Sequence, residues 1–135
     1  VKALLERVSI SSTRAGPNAP NTSRGLLDLA LCMPWRRGDR VIVFRGEFPA
    51  NVMPWCQAAE LFGLELVWLD ADAFRTDPAR AMAALEEACR RPVAVCAVSV
   101  VEFQTGFAMP IADMARQLPR VRPRPAPRRR PSNWP

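Results

Sequence analysis

Between residues 40 and 98 three short apolar runs are separated by two helical stripes, and this alternation narrows the possible folds more than any other feature of the chain. Arg40 to Phe44 is a continuous apolar run, the pattern of a strand covered on both faces in a parallel sheet. From Ala50 or Asn51 to Phe62, apolar residues at 52, 55, 56, 59 and 62 form a helical stripe, with Trp55 on its core face. Pro54 falls in the first turn, where a missing N–H is tolerated, and Gly63 supplies the stop. Leu64 to Leu69 is the next strand, followed by an acidic loop holding Asp70 and Asp72. Asp77-Pro78 then reads as a cap with proline at the first helical position, opening a helix to about Arg90. Its buried face is Met82, Leu85 and Cys89, and Arg90-Arg91 complement the negative helix end. After Pro92, Val93 to Val98 is a central strand, Ser99 to Gly106 a strand-end loop and Ile111 to Leu118 a short helix. Strands and helices alternating at this spacing predict parallel βαβ units, whose ligands sit beyond the carboxyl ends of the strands.

Upstream, Asn21-Thr22-Ser23 stands immediately before an apolar period (Leu26, Leu29, Ala30, Met33) that Pro34 ends, so it reads as a helix start. Free backbone N–H groups beside two hydroxyls suit an anion, phosphate above all. The same residues also serve as a plain N-cap, worth about 1 kcal/mol, and local sequence does not separate the two readings. Glu47-Phe48 follows one strand and Ser99 to Gly106 another, so the topology predicts that these segments and Thr22-Ser23 line one rim. Residues 1 to 8 read as the end of a helix, and 9 to 20, punctuated by Gly16, Pro17, Asn18 and Pro20, as loop.

The net charge of +6 belongs to one end of the chain. Residues 119 to 135 carry six arginines, six prolines and no acid; the remainder holds 13 basic and 13 acidic residues and is neutral overall. Such a tail cannot pack a core and is expected to be extended and solvated. Its arginines could contact phosphates, but Trp134 alone is available for stacking, which makes nucleic acid an unlikely partner. A hydrophobic fraction of 49% supports one globular domain. No apolar run is long enough for a membrane span, and the first eight residues lack the form of a signal peptide. The four cysteines (32, 56, 89, 96) form no Cys-x-x-Cys pair and the chain has no histidine, so zinc-like spacing is absent. They are expected to be small buried hydrophobes, and reduced thiols suit a cytoplasmic setting.

Three segments occur in a telling order: Asn21-Thr22-Ser23-Arg24-Gly25 before an apolar helix, then Arg36-Arg37-Gly38-Asp39-Arg40-Val41-Ile42-Val43, then Gly46-Glu47-Phe48-Pro49-Ala50-Asn51-Val52-Met53-Pro54-Trp55. With Val98-Ser99-Val100-Val101-Glu102-Phe103-Gln104-Thr105-Gly106-Phe107 further on, the chain closely resembles the class V aminotransferase superfamily over roughly residues 20 to 118. These are fold-type-I enzymes dependent on pyridoxal 5′-phosphate (PLP), and the nearest look is the branch of cysteine desulfurases, selenocysteine lyases and isopenicillin-N-epimerase-like proteins. The resemblance implies an α/β fold, a three-layer αβα sandwich around part of a mostly parallel sheet, truncated from the large domain of that family. The organisation expected is a helix remnant and loop over 1–19, a partial PLP-binding domain over 20–118 and a disordered Arg/Pro-rich tail over 119–135.

The resemblance also implies site residues. Thr22 and Ser23 would hold the PLP phosphate through hydroxyls and backbone N–H groups. Phe48 stands where the family places an aromatic ring over the pyridine; many desulfurases have histidine there, and phenylalanine can stack but cannot relay a proton. A family Gln or Asn that contacts the cofactor's phenolic oxygen corresponds to Gln104 or to Glu102, and a carboxylate beside a phenolate would be unfavourable. Asn51 either contacts the rim or simply starts the helix. The family's Schiff-base lysine and the acid near its pyridine nitrogen come later than residue 118, and the single lysine here is Lys2. The expectation is therefore a piece of an enzyme acting on an amino acid, a homodimer when complete, inactive alone and with an incomplete PLP site. A pseudo-enzyme pairing with an intact homologue, or another non-catalytic module, is the alternative.

Overall fold

The computed structural model describes residues 2–5, 8–9 and 21–118. Its middle is β3 (Arg40–Arg45), buried from Arg40 through Phe44. It runs parallel to β4 (Glu65–Asp70) on one side and to β5 (Val95–Val98) on the other, with Val41 opposite Leu66 and Val95. Side chains alternate across the sheet, so the continuous apolar run feeds two cores at once. Val41 and Val43 join Val95 and Ala97 on one face, where Leu26 and Ala30 of α1 (Thr22–Cys32) and Trp55 and Ala58 of α2 (Met53–Phe62) cover them. Ile42 and Phe44 join Cys96 and Val98 on the other. That face is closed by Phe74 of α3 (Ala73–Thr76), Leu85 of α4 (Pro78–Cys89) and Met114 of α5 (Ile111–Gln117). The result is the three-layer αβα arrangement expected from the alternation. One aromatic pair packs edge to face in each core, Trp35 with Trp55 at 6.4 Å and Phe44 with Phe74 at 6.0 Å.

Helix ends follow their local chemistry. Asn21 caps α1, its side-chain oxygen accepting from the Arg24 N–H at 2.9 Å, and Asp77 caps α4 through the Arg80 N–H. At the far end of α1 the Trp35 indole N–H donates to the Ala30 carbonyl at 2.6 Å, satisfying an acceptor the helix leaves open. Gly63 closes α2 in the left-handed region at φ 67°. The single helix expected from 50 or 51 onward is instead a 3-10 turn, Pro49–Asn51, followed by α2. The acidic loop contains α3, a turn organised by burial of Phe74 beneath Phe44.

The N-terminal helix is corrected. Lys2–Leu5 and Val8–Ser9 are strands, β1 and β2, paired antiparallel with each other. β1 also pairs antiparallel with β5, placing Lys2 opposite Val98 and Ala3 opposite Ala97 and giving the order β2-β1-β5-β3-β4. The open backbone edge of β5 offers Lys2–Leu5 hydrogen bonds, and tertiary pairing decides its conformation over the local amphipathic pattern. The expectation for cysteines also needs amending: Cys96 is buried and Cys56 and Cys89 partly so, but Cys32 is exposed near the end of α1. Of the loop expected over 9–20, Ser9 instead ends β2; residues 10–20 and the tail from 119 lie outside the described residues.

Arg40 fastens the amino end of the sheet. It is 8% exposed, and its guanidinium donates to Glu65 (3.1 Å) and to the carbonyls of Ala88 (2.8 Å) and Arg91 (3.1 Å), tying the end of α4 to the start of β3. Arg91 adds a two-pronged contact to Glu65 at 3.0 and 2.9 Å. These bonds, Arg91's first and then Arg40's, hold the Glu65 carboxyl below the usual range. Replacing Arg40 by Met strands two carbonyls and should cost roughly 2–4 kcal/mol in urea unfolding. Arg40→Lys keeps the charge but loses the fork, and its unfolding midpoint should fall between those of wild type and Arg40→Met.

Candidate functional site

The sheet defines where a ligand would go. From the end of β3 the chain passes to α2 on one face, whereas from β5 it passes to α5 on the opposite face. Adjacent parallel strands whose continuations part in this way leave a crevice at their carboxyl ends, the usual site in open α/β sheets. α1 ends where residues 33–39 lead into the start of β3, and its body packs against the 3-10 turn beyond the end of β3. Its first turn therefore lies on the carboxyl rim. Thr22 and Ser23 are exposed there, and their N–H groups, in the opening turn, have no intrahelical acceptor.

The loop leaving β3 turns at Gly46, whose φ of 88° favours glycine, and delivers Glu47 and Phe48 to the crevice. The Glu47 carboxylate reaches across to the first residue after β5: Oε1 accepts from the Ser99 backbone N–H at 2.6 Å and Oε2 from the Ser99 hydroxyl at 2.7 Å. Asn51, 3% exposed, points its Nδ2 at Ser99 Oγ over 3.5 Å, and its Oδ1 has no partner among the described residues. Phe48 is 52% exposed and meets Phe103, equally exposed, edge to face at 5.4 Å and 80°. Two rings from two different strand ends thus form an aromatic wall beside the crevice.

Phe103 is carried by a hairpin-like loop. Val101 bridges Ala108, the Met109 N–H donates to the Val100 carbonyl, and the Glu102 N–H donates to that of Phe107. Inside it the buried Glu102 carboxylate accepts from the N–H groups of Gln104 (2.8 Å) and Thr105 (2.7 Å) and from the Thr105 hydroxyl (2.6 Å). The Thr105 hydroxyl, then the Gln104 N–H, hold this carboxyl below the usual range. Glu102 is therefore occupied within its own turn, while the side chain of Gln104 is exposed on the same loop.

Of the residues singled out from sequence, Thr22, Ser23 and Phe48 come to the carboxyl rim, and Glu102 and Gln104 share the loop after β5. Sequence reasoning missed Phe103 as the partner of Phe48 and missed the Glu47–Ser99 bridge. An aromatic at the centre of a strand-end loop was a usable signal for the first. The second had no local signature, because the two residues meet only through the sheet.

Comparison with known proteins fits this geometry. The family model described as aminotransferase class V matches residues 20–122, and the chain belongs to that family. Among solved structures it is similar to a C-DES point mutant with glycine covalently linked to the PLP cofactor, at 19% identity and a TM-score of 0.63, covering 76% of this chain and 26% of that one. It is also similar to the cysteine desulfurase CsdA from Escherichia coli, in an S-sulfonic acid form, at 25% identity and a TM-score of 0.57, covering 70% of this chain and 24% of that one. The chain thus spans about a quarter of the length of these structures. No curated protein matches. Among the described residues no helix is long and apolar enough to cross a membrane, and no group of His, Cys, Asp or Glu side chains could hold a metal ion.

The lowered Glu102 carboxyl gives a pH test. A group depressed on folding contributes stability above its unfolded value, about 4.3, and that contribution is lost as pH falls through the lower folded value. Glu102→Gln should therefore melt below wild type at pH 7, and the gap between the two melting temperatures should close on acidification below about pH 4.

Proposed function

We propose that this chain supplies the phosphate- and ring-binding part of a PLP-dependent enzyme acting on an amino acid, of desulfurase, lyase, epimerase or transaminase type. What supports the reading is topology: the exposed, hydroxyl-bearing first turn of α1 and the exposed Phe48–Phe103 pair both belong to the carboxyl side of the sheet. Thr22 and Ser23 suit a phosphate: the first turn of α1 offers N–H donors and two hydroxyls at the positive helix end. Phe48 suits the pyridine ring, with Phe103 braced against its edge. Gln104 stands on the loop nearest this wall as a neutral polar group for the ring's substituents, and Glu102 serves by holding that loop in shape. When bound, PLP supplies an electron sink for bonds at the amino acid's α-carbon.

The residues of this chain bind and orient; they do not complete the chemistry. The one lysine, Lys2, lies in β1 opposite Val98, and no acid is assigned to the pyridine nitrogen. Phe48 has no proton to give or take, so whatever moves protons over the ring must come from other groups. The likeness to the cysteine desulfurase CsdA favours that branch for the substrate class, and a dimer for the complete enzyme accords with the family.

Equilibrium dialysis of the full chain with PLP tests the reading. We expect reversible binding that Phe48→Ala weakens roughly 2- to 10-fold and that Thr22→Val with Ser23→Ala weakens about 10-fold or more. Borohydride treatment followed by peptide mapping should leave no pyridoxyl label; label on Lys2 would show that the anchor is present after all. Absence of any saturable binding would defeat the proposal.

A further inference from the structure

We infer that Glu47 is a positioning residue for the aromatic wall: its carboxylate, clamped on Ser99, sets the place of Phe48 over the crevice. The inference rests on the function proposed above and extends it to a residue that does not itself touch the ligand. Glu47 and Ser99 stand at the ends of β3 and β5, the two strands between which the crevice opens. Their two hydrogen bonds, 2.6 and 2.7 Å, are short and charge-assisted, and among the described residues they are the shortest hydrogen bonds joining the two loops. Phe48 is the next residue in the chain, and Phe103 follows Ser99 by four. The clamp therefore fixes the common base from which both rings project.

The hydrogen-bond inventory shows that the clamp has one direction. Ser99 has a single hydroxyl proton and donates it to Glu47, so its oxygen faces Asn51 as an acceptor. That places Nδ2 of Asn51 toward Ser99 and leaves Oδ1 as the atom without a partner among the described residues. The chain runs from Asn51 to Ser99 to Glu47, and the carboxylate is its only strong acceptor. Without that acceptor the Ser99 hydroxyl is free to rotate, and the Phe48 loop keeps only its backbone contacts. Two half-exposed rings have too little buried surface to hold each other in register unaided.

Two measurements on the full-length chain test this. With 13C-labelled phenylalanine, the free wild type should give a ring-to-ring nuclear Overhauser effect between Phe48 and Phe103. It should vanish in Glu47→Ala and survive in Glu47→Gln, whose amide oxygen can still accept from the Ser99 N–H. Binding of pyridoxine 5′-phosphate, which carries the ring and phosphate without the reactive aldehyde, should weaken about 3- to 10-fold in Glu47→Ala. Inorganic phosphate affinity should move by less than about twofold, because α1 is not part of the clamp. Persistence of the ring contact in Glu47→Ala, or equal losses for both ligands, overturns the inference. Should Glu47→Ala fail to fold, Glu47→Met keeps the bulk of the side chain and removes both acceptors; an unchanged ring contact and an unchanged affinity ratio there would overturn it equally. If wild type does not bind pyridoxine 5′-phosphate at all, the proposed function falls, and the ring contact alone decides whether the clamp positions Phe48.

Discussion

Burial of β3 on both faces is the constraint from which the rest of the molecule follows. A strand whose alternate side chains, Val41 and Val43 against Ile42 and Phe44, all need apolar surroundings must have helices above and below it. Its neighbours are parallel to it, so each connection has to cross the sheet, and the crossings distribute α2 to one face and α4 to the other. The opening between the ends of β3 and β5 is a by-product of that distribution. Nothing in the rim residues creates the crevice; they furnish it.

The two ends of the sheet are finished differently. At the amino end, Arg40, Glu65 and Arg91 form a connected set in which the guanidinium groups bond carboxylate and carbonyl partners. At the carboxyl end, polar and aromatic groups remain half exposed and one buried amide oxygen is unsatisfied.

Much of this was legible in the residues themselves. Alternation of apolar runs and helical stripes marked the parallel core, because continuous apolar runs this short suit buried strands whereas the stripes between them repeat at the helical period. Gly63 and Asp77-Pro78 gave helix ends correctly, since capping is decided by neighbours in sequence. The N-terminal segment was misread for the opposite reason: whether Lys2–Leu5 is helix or strand is settled by the edge of β5, which sequence proximity does not reveal. The exposure of Thr22, Ser23 and Phe48 agrees with the rim that topology predicts for them. The pairing of Glu47 with Ser99 and of Phe48 with Phe103 depends on strand register, and the position of a carboxylate relative to a hydroxyl fifty-two residues away is written nowhere in the local chain.

The pairing of β1 with β5 has a consequence for biosynthesis. β1 precedes β5 in the chain, and the strand it docks on is translated some ninety residues later. At about 5–20 residues per second this leaves it waiting on the order of 5 to 20 seconds for its edge. Meanwhile β2, only a few positions away, offers a local mate through Leu4–Ser9 and Leu5–Val8. The nascent chain can thus shelter β1 against β2 until the growing sheet arrives to receive it.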